Sequence, residues 1–255
     1  MKLADTCAVV SGGVSGLGLA AASRIVAAGG QVVLLDIDQA QAAAALAALG
    51  TCASFIATDV TREDEVDAAI AQARATMGSI SAAINCAGIG TAARFVGKQG
   101  AMTADFFRRL IEVNLVGTAL LCKSAALAMQ KNAPGIDGER GVIVMTASVA
   151  AFEGQIGQVA YAASKGGIVA MTLPMARELA SSGIRVVTIA PGVFLTPMAH
   201  SLPPEVQQSL ASQVPFPARL GQPAEYASLV AQILENVMLN GETIRLDGAI
   251  RMPPR

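Results

Sequence analysis

Histidine occurs once in the 255 residues, at His200, and tryptophan is absent. The four cysteines, Cys7, Cys52, Cys86 and Cys122, stand far apart and form no Cys-x-x-Cys pair. A Cys/His metal site therefore has no ligand set, and no metal is expected. The same shortage excludes a Ser-His-Asp triad unless His200 serves it, and a loop histidine is given no role. Neither sign of charge dominates: 18 Lys and Arg face 19 Asp and Glu. The basic excess that marks a nucleic-acid surface is missing, so no nucleic-acid partner is expected. No uninterrupted apolar run approaches the roughly 20 residues of a membrane span. Met1-Lys2-Leu3 leads straight into a strand-like run, with no room for the apolar stretch of a signal peptide. Widely spaced thiols in apolar surroundings read as free and buried. The expectation is a soluble, cytoplasmic protein of a reducing compartment with no membrane partner.

What is present is apolar: 53% hydrophobic against 15% charged residues, enough for a packed core. Short β-branched runs alternate with longer alanine-rich stretches, the pattern of βαβ units and a parallel sheet. Strands are expected at residues 8–11, 31–35, 53–57, 80–85, 141–146, 185–189 and 243–246. Helices are expected at 17–28, 39–49, 62–76, 103–130, 158–180, 205–212 and 224–236. The predicted fold class is α/β: a doubly wound, single parallel seven-stranded sheet with helices on both faces. Residues 1–255 read as one domain without linker or repeat. The alanine run at 40–48 reads as a thin helix packed close to the sheet. Two segments break the rhythm, 90–102 with Arg94 and Lys98, and the proline-rich 191–217, which reads as a substrate lid.

After the first strand comes Ser11-Gly12-Gly13-Val14-Ser15-Gly16-Leu17-Gly18. Glycines at 12, 16 and 18 let backbone approach a pyrophosphate, and the turn opens into a helix whose N–H groups and dipole face an anion. A tight strand-to-helix turn would also use glycine, but its place behind the first strand favours the dinucleotide reading. Asp36 ends the second strand, where a carboxylate accepts from the ribose hydroxyls of NAD and repels the 2′-phosphate of NADP. No arginine or lysine at 13–15 or 37–38 offsets it. Asp59 after the third strand suits the adenine amino group, or equally, with Thr61, a helix cap.

Tyr161 and Lys165 stand at i and i+4, on one helix face. A free phenol titrates near about 10, and adjacent positive charge brings its phenolate within reach. Ser148 lies 13 residues before Tyr161, at the end of the preceding strand. Its hydroxyl can meet a substrate oxygen as charge develops there. Asn114, inside a long helix, is the expected fourth member. Each residue has a plain structural alternative, as surface pair, cap or buried amide, but their joint order behind a dinucleotide turn argues for a site.

With these residues in view the chain resembles the short-chain dehydrogenase/reductase family. The likeness runs over nearly its whole length through Gly12/Gly16/Gly18, Asp59, Asn85-Cys86-Ala87-Gly88, Asn114, Ser148, Tyr161-x-x-x-Lys165 and Pro191-Gly192. Ser11 stands where threonine is usual, and Cys86 replaces the second asparagine of an Asn-Asn-Ala-Gly stretch. The resemblance implies a Rossmann fold and catalysis by Asn114, Ser148, Tyr161 and Lys165, with Asn114 keeping its helix locally open for a water in a proton relay. It implies an NAD site made by Ser11, Gly12, Ser15, Gly16, Leu17, Gly18, Asp36, Asp59, Val60, Asn85, Ala87, Gly88, Tyr161, Lys165, Pro191, Gly192, Val193 and Thr196.

Residues 146–155, 213–217 and 246–252 are similar to a branch of the family that oxidises the C3 hydroxyl of short or branched 3-hydroxyacyl-CoA thioesters. That likeness implies a small-molecule acyl-CoA or steroid substrate, a homotetramer, and a place in fatty acid and branched-chain amino acid degradation. The substrate slot is expected from Phe152, Gln155, Gln158, Phe194, Leu195 and Leu202 beside Ser148 and Tyr161, with core packing as the alternative for the apolar ones. Arg94 and Lys98 would form a rim for CoA phosphates. Two other readings are a hydroxysteroid or other secondary-alcohol dehydrogenase, and a non-catalytic scaffold subunit, against which the complete set of four residues counts.

Overall fold

The short apolar runs Cys7–Ser11 (β1), Gln31–Asp36 (β2), Ala53–Ala57 (β3) and Ala82–Asn85 (β4) form the first half of a parallel sheet. Gly141–Thr146 (β7), Ile184–Pro191 (β8) and Thr243–Leu246 (β9) complete it, in the order β3-β2-β1-β4-β7-β8-β9. This computed structural model describes residues 1–98, 100–197 and 203–254. The seven strands expected from the sequence are all present, although the fourth begins at Ala82 rather than at residue 80.

Alternation along each strand sends successive side chains to opposite faces. Val9, Val33, Leu35, Ile143 and Met145 enter one apolar cluster with α3 (Glu63–Met77) and α5 (Gly117–Met129). Val10, Leu34, Ile84, Val144 and Val187 enter the other, with α1 (Gly16–Ala27) and α8 (Pro223–Glu235). Helices α2 (Gln39–Leu49), α4 (Ala104–Ile111), α6 (Val159–Leu179) and α7 (Pro204–Ser212) complete the described set.

Two departures from the expected elements bear on function. The 90–102 segment carries an antiparallel ribbon of β5 (Val96–Gly97) and β6 (Gly100–Ala101), too short to leave a periodic signal. The helix expected over 103–130 is interrupted by a π-helical turn at Glu112–Val116, which separates α4 from α5. Ala104–Met129 has the length of a membrane span and contains an 18-residue window of mean hydropathy 1.5, but half of that window is buried inside the protein. Its apolar side is sheet core.

Because β4 returns to pair with β1 on the side opposite β2, the strand order reverses between β1 and β4. Open parallel sheets form a ligand crevice at the carboxyl ends of the strands flanking such a point.

Candidate active site

The turn after β1 occupies that crevice. Gly12 has φ +62°, and a Cβ there would lie 2.7 Å from the amide nitrogen of Ala87. Gly18 is packed so closely that a Cβ would fall 2.2 Å from the Gly12 carbonyl oxygen. Ser11 Oγ accepts from the Ala87 amide (3.3 Å), tying the turn to the end of β4. Ser15 is extended and makes no side-chain cap, the first turn of α1 holds no acid, and Leu19 N donates to Ser15 O. The start of α1 is thus backbone with an uncompensated positive dipole end, as an anion requires. Leu17 is half-buried behind it.

Asp36 reaches this turn from β2: Val14 N donates to one carboxylate oxygen (3.4 Å) and Asp38 N to the other (3.1 Å). Asp59 Oδ1 accepts both the amide (2.9 Å) and the hydroxyl (2.8 Å) of Thr61, but Thr61 precedes α3, whose N-cap residue Arg62 makes no side-chain cap, so the capping alternative is not realised. Val60 is buried against Gly117. The Asn85 amide points into the sheet, donating to Val144 O (3.4 Å), and supports the strand end rather than facing the crevice. Beyond Ala87, the Cβ position of Gly88 lies 3.1 Å from Asn114 Oδ1 and 3.6 Å from Lys165 Nζ. Across the crevice, β8 ends at buried Pro191. Gly192 N donates to Leu246 O, and Val193 O accepts from Gly221 N. The Thr196 side chain lies 3.5 Å from the Cβ position of Gly16.

Tyr161 and Lys165 project from α6, and the ammonium lies 5.9 Å from the phenol ring centroid. Lys165 is buried and donates to the Thr146 carbonyl (2.8 Å). Burial disfavours its charge and brings its pKa down to about 8. Burial pushes the Tyr161 phenol up, and a hydrogen bond with Ser148 opposes that shift. Ser148 Oγ also accepts from Ala150 N (3.1 Å), which fixes the hydroxyl at the end of β7.

Asn114, fully buried in the π turn, spends its amide on three groups. Oδ1 accepts from Ile89 N (2.8 Å), while Nδ2 donates to Ile89 O and to Ser164 Oγ (both 3.0 Å). Its own carbonyl accepts from Thr118 Oγ1 (2.7 Å). The asparagine bridges the post-β4 segment, the opened helix and α6.

The substrate side departs more from expectation. Phe194 is only 7% exposed, packs its ring over Gly221 and belongs to the core cluster, so core packing replaces the slot assignment. Phe152 faces solvent beneath the Arg245 guanidinium, 5.2 Å from its ring centroid. That ring is taken up by the cation, not by a slot. Gln158 Oε1 accepts from Gln155 N (2.9 Å), and Gln155 Nε2 donates to Pro253 O (3.2 Å). Both glutamines stand in the loop entering α6, pinned by each other and by the chain end. Leu195 is half-buried, with its amide on Gly221 O. Leu202 and His200 lie outside the described residues. Arg94 and Lys98 border a cleft with Met102, Thr103 and Phe106. The base of that ribbon joins the α6 entry loop through Ala93 N and Gly157 O (2.9 Å).

Sequence reasoning missed a polar cluster under Lys165 made of Cys86, Thr146 and Tyr226. Motif spacing could not have found it. The one available signal was that Tyr226 is one of only two tyrosines in the chain.

A hydroxyl, a phenol and a buried ammonium at the rim of a dinucleotide crevice are the arrangement by which short-chain dehydrogenases move a hydride and a proton together. The family described as short chain dehydrogenase matches residues 6–207. The chain belongs to that family, whose dehydrogenases use NAD(P), and is an oxidoreductase with a small-molecule substrate. It is 55% identical to the 3-hydroxyacyl-CoA dehydrogenase type-2 of Bos taurus over 97% of this chain and 95% of the relative. It is 48% identical to the Drosophila melanogaster protein of the same name, over 98% and 99%. The crystal structure of 3-hydroxyacyl-CoA dehydrogenase type-2 from Mycobacterium avium superposes with a TM-score of 0.93 at 43% identity, covering 97% of this chain and 96% of that one.

Proposed function

We propose that the protein oxidises the C3 hydroxyl of a short or branched 3-hydroxyacyl-CoA to the 3-ketoacyl-CoA, with NAD as the preferred cofactor. The names carried by relatives at 48 to 55% identity over nearly the whole chain support the substrate class. The observation that carries the chemistry is the Tyr161 phenol held beside the buried Lys165 ammonium, with the Ser148 hydroxyl opposing the upward shift of the phenol.

The residues at the crevice fit a dinucleotide. Gly12, Gly16 and Gly18, with Ser11, Ser15 and Leu17, would take the pyrophosphate on backbone N–H groups. Asp36 would take the adenosine ribose hydroxyls, and its charge beside the Val14 amide disfavours a 2′-phosphate. Asp59, Val60 and Ala87 would flank the adenosine half, with Asn85 supporting the strand end beneath it, while Gly88, beside Lys165, and Pro191, Gly192, Val193 and Thr196 would flank the nicotinamide half. When bound, NAD supplies the hydride acceptor. Ser148 donates to the C3 oxygen and Tyr161 accepts the C3 hydroxyl proton. Lys165 holds the phenolate by charge and can bond the nicotinamide ribose. Asn114 keeps the π turn open, and its carbonyl has a second lone pair beyond the one used by Thr118, to which a relay water can donate. We infer a homotetramer by the same likeness, and a reducing cytoplasm from the four free cysteines.

Absorbance of NADH at 340 nm tests the reading directly, with acetoacetyl-CoA, 2-methyl-3-hydroxybutyryl-CoA and a hydroxysteroid compared, each with the NAD and NADP forms. Turnover on the thioesters with the NAD pair is expected, and Tyr161→Phe should lower kcat by about 10²–10⁴-fold. Turnover on the steroid alone would overturn the substrate, and equal rates with the NADP pair would overturn the role given to Asp36.

A further inference from the structure

Tyr226, on α8, is 0% exposed and sits in the apolar cluster with Phe194, Val230 and Leu234. A phenylalanine would fill the same space without bringing a hydroxyl into the core, where an unpaired polar group costs about 1–3 kcal/mol. The hydroxyl is not unpaired. It lies 2.7 Å from Thr146 Oγ1 and 3.4 Å from Cys86 Sγ, which is itself 3.6 Å from Thr146 Oγ1. Thr146 is the last residue of β7, two before Ser148, and its carbonyl is the acceptor that holds Lys165 Nζ at 2.8 Å.

These contacts form one chain: Tyr226 hydroxyl, Thr146 hydroxyl, Thr146 peptide, Lys165 ammonium. Rotation of the Thr146 side chain is arrested by two partners, so its peptide is fixed at the point where β7 gives way to the Ser148 turn. We propose that Tyr226 is a positioning residue for catalysis, whose hydroxyl acts through Thr146 to hold the acceptor carbonyl of Lys165.

The proposal rests on the reading of Lys165 as the group that stabilises the Tyr161 phenolate. Among the described residues, the titratable groups that face Lys165 are Tyr161 on its own helix, Cys86 after β4 and, through Thr146, Tyr226 on α8. Burial pushes both the Cys86 thiol and the Tyr226 phenol up, so each stays neutral near the ammonium. Burial takes the ammonium out of bulk solvent, which makes a fixed carbonyl matter to its charge. Without the Tyr226 hydroxyl, the Thr146 peptide relaxes and the ammonium loses a fixed acceptor. The Tyr161 phenolate then loses part of its stabilisation, so activity should begin at a higher pH.

The test is the pH profile of kcat/KM for oxidation of 2-methyl-3-hydroxybutyryl-CoA with NAD. It compares the wild type with Tyr226→Phe, Thr146→Val, Thr146→Ser, the Tyr226→Phe/Thr146→Val double variant and Lys165→Ala. Tyr226→Phe should move the ascending limb up by about one pH unit, equivalent to a tenfold loss at pH values below it. Thr146→Val should move it equally, Thr146→Ser should keep the wild-type limb, and the double variant should shift no further than either single one. Thr146→Val and Thr146→Ser decide the matter if Tyr226→Phe folds poorly. A limb that stays in place in the variants lacking a hydroxyl, with lower turnover or not, would mean that Tyr226 merely packs α8, and a shift that adds in the double variant would break the chain. If Lys165→Ala abolishes turnover while Tyr226→Phe leaves the limb unmoved, only this proposal falls. If Lys165→Ala keeps the wild-type profile, the reading of the site falls with it.

Discussion

Lys165 shows at the scale of one residue how function opposes stability. Its ammonium is buried with a single carbonyl acceptor described, and its pKa falls from 10.5 to about 8. Below pH 8 both the folded and the unfolded chain carry the proton, and the folded state bears the full cost of the buried charge. Between pH 8 and 10.5 the unfolded chain binds more protons than the folded one, so the wild type gains stability as pH rises through that window. Lys165→Met lacks this group. Urea midpoints at pH 7.5, 9 and 10 should therefore show the wild type gaining on the variant as pH increases, and parallel pH dependences would show that Lys165 is not desolvated in solution. The pairing of Tyr161 with Lys165 was legible in the sequence because i and i+4 fix two side chains on one face whatever surrounds them. The fate of Phe194 and Phe152 was not, because an aromatic side chain in a loop can turn to core, cation or ligand, and only the packed neighbours choose.

At the scale of an element, the 103–130 segment is the instructive case. Its sequence reads as one helix because helical period and apolar content run through it without a break. The π turn at Glu112–Val116 comes from what Asn114 reaches in three dimensions: Ile89 after β4 and Ser164 on α6. Asn114→Ala leaves the part-buried Ile89 amide and carbonyl without these partners, at a cost of about 1 kcal/mol, the low end for orphaned groups. Loss of hydrogen-exchange protection at the Ile89 amide, with protection in β1 retained, is the expected signature. Unchanged protection would mean that the turn is held by other contacts. The β5–β6 ribbon escaped prediction for the opposite reason: two residues per strand are too few to show a period of two.

At the scale of the molecule, Arg185 ties together parts of the chain that lie far apart in sequence. Its guanidinium on β8 pairs with Glu139 (2.7 Å) and donates to the carbonyls of Ile233, Leu234 and Leu239 at and beyond the end of α8. The Met1 ammonium joins the same cluster through Glu139 (3.0 Å) and Leu234 O (3.1 Å). Removing one partner of a buried ion pair costs about 3–5 kcal/mol, which for a chain of this size lowers Tm by roughly 10 °C. Arg185→Ala should show that fall in a thermal melt, and a Tm within two or three degrees of wild type, about 1 kcal/mol or less, would show that the cluster is replaceable by water.

The sequence by itself determined the sheet, its parallel sense, the glycine turn after β1 and the order of Asn114, Ser148, Tyr161 and Lys165, because each is written in local periodicity or fixed spacing. Tertiary structure alone decided which side chains meet across elements. It opened the helix at Asn114, buried Phe194, tied the chain end to Gln155, and set Tyr226 against Thr146, 80 residues apart in the chain. Such contacts depend on how α8 packs against the sheet, and burial and the need to pair every buried polar group settle them once the fold has closed.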